Sequence, residues 1–156
     1  MTTNNTETAV VPGNREARAV PAALRAMLNG RPELAGKFQH FQNAFHDEGL
    51  LDEKLLEMCR ARIDTVHDNQ ATTTLDAHTQ NLIREGRFAS FSEVEQNALA
   101  VAEQIAIDAH GITDQQVSEL VVLLGEPATV SLITAASMHD ATTRLQLVLR
   151  NLTTTA

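Results

Sequence analysis

The sequence has no tryptophan, no tyrosine and one cysteine, Cys59, in 156 residues. A single cysteine closes no intrachain disulfide, no Cys-x-x-Cys redox pair and no thiolate zinc cage. Without Trp or Tyr, and with its 12 Lys and Arg residues unclustered, the chain lacks the stacking rings and basic stripe of a nucleic-acid binder. A formal net charge of −8 repels a phosphate backbone and reads as solubility, so nucleic acid is not an expected partner. No uncharged apolar run nears the ~20 residues that a membrane helix needs. Residues 1–11 show no charged n-region followed by an apolar stretch, so no signal peptide is expected. A membrane is therefore not an expected partner, and the expected location is the cytoplasm. Long alternations of β-branched residues are missing too, which argues against strands.

What is present is helical periodicity, punctuated clearly. Residues 1–13 are Thr/Asn-rich, close on Pro12-Gly13 and read as a disordered tail; residues 14–152 read as one helical domain, and 153–156 as a frayed end. Pro21 sits in an Ala/Leu-rich run that ends at Asn29-Gly30, and Pro32 suits the first turn of the next helix. That helix carries Leu34, Phe38, Phe41 and Phe45 on one face and ends at Gly49. Asp52 caps the next, whose stripe is Leu55, Cys59, Ile63 and Val66; Asp68-Asn69-Gln70 breaks it. A helix from Ala71 with Leu75, His78 and Leu82 on one face follows, ending at Gly86. Ser92 with Glu95 and Thr113 with Gln116 match capping boxes that open two further helices, the second ending at Gly125. The last helix opens at Pro127, runs to about Asn151 and is apolar nearly all round, which predicts burial on every side and hence an oligomer.

Among the six histidines, His78 stands out. On a helix it neighbours Thr74 one turn earlier and shares the inward stripe, so it reads either as a hydrogen-bonded core histidine or as an acid–base group near its useful range. His67-Asp68 lies at the break before it, and His139-Asp140 lies in the last helix, on the side away from Val130, Ala141 and Val148. A histidine in such a helix needs a partner or a cavity. His67, His78 and His139 with Asp68 or Asp140 could also form a metal site, although none shows a strong His-x-x-x-His spacing. Arg62 borders the apolar stripe and could fork onto a carboxylate or brace two helices. Glu57 lies opposite the stripe, compatible with a site between helices or with a solvated face.

Arg31-Pro32-Glu33-Leu34, Gly49-Leu50-Leu51-Asp52, Leu56-Glu57-Met58-Cys59-Arg60-Ala61-Arg62-Ile63 and His78 follow one another as in the carboxymuconolactone decarboxylase and alkylhydroperoxidase-like family. Phe91-Ser92-Glu93 and Ile112-Thr113-Asp114 resemble its later helix starts, so the resemblance covers about four-fifths of the chain. It implies an all-α helical bundle assembled as a homo-oligomer, a trimer or a hexamer. Peroxide-reducing members place Cys-x-x-Cys-x-x-x-His on the His78 helix; counting back, this chain has Ala71 and Thr74 there, and neither supplies a thiolate. Decarboxylase-like members lack the cysteines, keep the histidine and need no cofactor. They often carry a carboxylate where Thr74 stands, which a neutral hydroxyl does not replace. The family's glutamate matches Glu57 only with a loop two residues longer; otherwise Cys59 falls there. The resemblance implies a cofactor-independent lyase or isomerase acting on a small acid or lactone. Its catalytic groups would be His78, Thr74 and Glu57, and its substrate-binding groups Arg62, His139 and His67. The alternatives are a non-catalytic ligand- or partner-binding module that kept the fold, and a His/Asp metal-binding protein.

Overall fold

The computed structural model describes residue 28 and residues 30–47, 49–70 and 73–154. The tail expected over residues 1–13, and most of the Pro21 run, lie outside them, as do residues 155–156. The described residues are all-α, and no helix among them is long and apolar enough to cross a membrane. Helix α1 is Pro32–Asp47, α2 Glu53–Val66, α3 Ala77–Arg84, α4 Glu93–Asp108, α5 Asp114–Leu124 and α6 Glu126–Thr154. Two 3₁₀ turns, Phe88–Ser90 and Ala109–Gly111, join α3 to α4 and α4 to α5.

The starts follow the sequence signals. The Asp52 carboxylate accepts from the Lys54 and Leu55 amides, and both expected capping boxes form at Ser92/Glu95 and Thr113/Gln116. Gly125 closes α5 at φ +82°, a conformation that costs other residues dearly. The α6 helix runs three residues past the expected end, through Thr154.

The centre of the bundle is α2, which packs on α3, α4 and α6 and is buried almost all round. Leu55, Leu56, Cys59 and Ile63 interleave with Ala98, Val101, Ala102 and Ile105 of α4, Leu120 of α5, and Leu132, Ala135 and Ala136 of α6. On the other side of α2, Met58 and Ala61 meet Ile83 and Leu99, with Leu75, Phe88 and Phe91 around them. The last helix is not the enclosed one in the single chain. Its Val130, Ala141 and Val148 are exposed, because one end and one face of this 29-residue rod extend beyond its neighbours. The α1 helix packs loosely against α6, with Phe38 half-buried near Leu28 and Leu145, while Leu34 and Phe41 remain exposed.

Candidate functional site

Polar side chains gather where the C-terminal end of α2 crosses the middle of α6. Asp64 and His67 are one helical turn apart on α2, and His139 and Asp140 are adjacent on α6. The pairs cross: His67 Nε2 lies 2.5 Å from Asp140 Oδ1, and His139 Nε2 lies 3.1 Å from Asp64 Oδ2. The four side chains are only 11%, 14%, 15% and 3% exposed, in the order His67, Asp140, His139 and Asp64.

Local structure puts each group there. The α2 helix ends at Val66; His67 takes the C-cap position, its backbone N–H donating to the Ile63 carbonyl and that of Asp68 to the Thr65 carbonyl. Asp68 then turns the chain at φ +50°, a left-handed conformation that Asp tolerates better than most. The turn brings Asn69 back over Asp64: its amide N–H donates to the Asp64 carbonyl at 2.8 Å, and its Nδ2 to Asp64 Oδ1 at 2.8 Å. Thr143 Oγ1 donates to the same Oδ1 at 3.1 Å. Burial pushes the Asp64 carboxyl up, but the close contact and charge of His139 and the hydrogen bonds from Asn69 and Thr143 outweigh it and hold the group below the ordinary carboxylate range. The Arg150 guanidinium donates to Asn69 Oδ1 at 2.9 Å, extending the chain of contacts. Asp140 is held on its other side by Arg144, whose Nε reaches both carboxylate oxygens at 3.0 and 2.9 Å and whose NH2 donates to the Ala106 carbonyl of α4.

His139 Nε2 is sealed from solvent and sits off the line of a straight hydrogen bond to Asp64, so proximity and charge close that contact. The arrangement amounts to two imidazoles, each backed by an anchored carboxylate. It can accept and return protons, since a carboxylate behind an imidazole orients it and stabilises its protonated form.

Of the expected site residues, His67 and His139 come together here; the others do not join them. His78 and Thr74 are exposed, and no helix starts at Ala71. Residues 71–72 lie outside the described residues, and α3 begins only at Ala77. The reason is Asp76: its side chain accepts from the Thr79 backbone N–H at 2.9 Å and from Thr79 Oγ1 at 2.6 Å, and so takes the N-cap. His78 thus stands in the first turn, off the inward stripe, and Thr74 is not its helical neighbour. Glu57 is buried rather than solvated and pairs with Arg60 at 3.0 Å, one turn along α2. Arg62 braces helices: it meets Glu103 of α4 at 2.6 Å, donates to the Ile83 carbonyl and lies over the Phe88 ring. Among the described residues no group of three or more His, Cys, Asp or Glu side chains is placed to hold a metal ion, so His67, His78 and His139 form no such set.

Sequence reasoning missed Asp64, Asn69, Thr143 and Arg144. A usable signal existed for the first: Asp64 lies between Ile63 and His67 on a helix whose stripe widens through Leu56 and Met58. A carboxylate on a face that must be buried requires partners. Compared with family models, curated proteins and solved structures, the chain matches none of them.

Proposed function

We propose that the chain is a cofactor-independent acid–base enzyme of the carboxymuconolactone decarboxylase type, acting on a small acid or lactone, with His139 and His67 as its proton-transferring groups. The observation that carries this reading is the crossed pair of contacts, which puts both imidazoles on buried, anchored carboxylates within one junction. Thiol chemistry has no place in it, because Cys59 is fully buried and burial pushes its thiol up to about 12. Arg62 then braces α2 against α4, and Glu57 pairs with Arg60 along α2 itself. Assembly as a homo-oligomer belongs to the same reading, supported by the exposed faces of α6 and α1.

The test is turnover on a panel of small acids and lactones by the wild-type chain and the His139→Gln and His78→Ala variants. Loss of about 100-fold or more in His139→Gln is expected for an acid–base group. Activity within a few-fold of wild type would remove His139 from the chemistry.

A second reading, a binding module without catalysis, is favoured by one observation: His78 and Thr74, at the positions where the family keeps its chemistry, are exposed and make no hydrogen bond with Glu57 or His139. Retention of a small acid in native mass spectrometry, with no turnover of any panel member, would establish it.

A further inference from the structure

We infer that Asp64 and Asp140 are positioning residues: each fixes its imidazole with the proton on Nε2, so that Nδ1 of His139 and of His67 is the proton-accepting atom. The inference rests on the acid–base reading, but its geometry stands separately. An ionised carboxylate is acceptor-only, so the ring nitrogen that faces it must carry a hydrogen, and a neutral ring then keeps its lone pair on the other nitrogen. In both histidines the nitrogen facing the carboxylate is Nε2.

The carboxylates are themselves fixed. Oδ1 of Asp64 is occupied by Asn69 and Thr143, which leaves Oδ2 for His139. Asp140 is gripped by the Arg144 guanidinium on the same helix. The α4 helix contributes the Ala106 carbonyl, which accepts from Arg144, while its Glu103 is taken up by Arg62. Nothing in this set competes for the Nε2 hydrogens.

Each Nδ1 keeps part of the small exposure of its ring, 11% for His67 and 15% for His139. Among the described residues, the buried side-chain nitrogens and oxygens without a partner are Arg62 Nε and His139 Nε2. Neither Nδ1 is among them and neither makes a hydrogen bond, so both are reachable from solvent. A small weak acid that reaches either Nδ1 therefore meets a lone pair backed by a carboxylate on the far side of its ring. This is the arrangement that general-base removal of a proton requires.

The experiment is a long-range ¹H–¹⁵N correlation spectrum of the full chain carrying ¹⁵N-histidine, at mildly alkaline pH. Expected for His67 and His139 are a pyrrole-type shift at Nε2 and a pyridine-type shift at Nδ1, with exposed His78 showing an averaged mixture. A proton on Nδ1 in either ring, or averaging like that of His78, overturns the inference for that ring. Asp140→Ala is expected to release His67 alone into a mixture. Thr143→Val, milder than removing the buried Asp64, is expected to loosen His139 alone. Unchanged spectra in both variants would show that the carboxylates do not position the rings. Fixed tautomers beside full turnover in His139→Gln would sink the catalytic reading and leave this one standing. Averaged tautomers beside lost turnover would do the reverse.

Discussion

His67 Nε2 and Asp140 Oδ1 meet at 2.5 Å although they are 73 residues apart in the chain, and they join the end of α2 to the middle of α6. The contact is 11% and 14% exposed on its two sides, so water screens it little. Asp140→Ala is expected to destabilise the fold by about 1–3 kcal/mol in urea unfolding, since it strands both the imidazole and Arg144. The comparison is Glu85→Ala, which loses only the exposed contact to Arg87 and is expected to change stability by less than about 0.5 kcal/mol. Equal effects at the two positions would mean that burial of the α2–α6 contact adds nothing.

Asp64 sets a pH dependence with a definite sign. Its folded-state carboxyl lies below the ordinary value of 3.8, so the folded protein binds fewer protons there than the unfolded chain. The stability it contributes is complete above that value and is lost as pH falls through the lower folded-state one. Thr143→Val removes one hydrogen bond to this carboxylate and is expected to cost about 1–3 kcal/mol near neutrality. That cost should shrink as Asp64 protonates. Thr142→Val is the control: its hydroxyl bonds to the Met138 and His139 carbonyls, so its cost should not vary with pH. Parallel pH profiles for the two variants would exclude Asp64 as the source.

Cys59 is expected to be inert in the native chain. Its side chain is 0% exposed, and burial pushes the thiol up to about 12. A chromogenic disulfide reagent should label it at the global unfolding rate and not faster, and no thiol-dependent peroxide consumption should be found. Rapid labelling of the folded protein would contradict the packing around it.

Arg62→Met is expected to act on stability and not on substrate affinity. The guanidinium ties α2 to Glu103 of α4 and to the Ile83 carbonyl of α3, and its loss should cost about 1–3 kcal/mol in a melt or urea titration. Once a substrate is in hand, a KM raised tenfold or more with stability unchanged would return Arg62 to the binding site.

The helix starts and stops were legible in the sequence because the forces that set them act within about four residues. Asp52, Ser92 with Glu95 and Thr113 with Gln116 all cap as their spacing indicates, and Gly125 ends its helix. The all-α class and the burial of Cys59 followed from periodicity alone. The start of α3 was misread for the same kind of local reason: Leu75 and His78 fit a helical stripe, but Asp76 claims the cap between them.

Which helix lies at the centre, and which carboxylate backs which histidine, were decided only by the tertiary structure. Apolar faces of α2 and α6 are both wide enough to be central; what distinguishes α2 is that its neighbours bury it on nearly every side, while α6 keeps Val130, Ala141 and Val148 exposed. His67 and His139 could be picked out from the sequence as needing partners. That each pairs with the carboxylate beside the other depends on how far α2 slides along α6 and at what angle they cross. Those quantities come from the summed packing of many side chains and leave no mark at any single position.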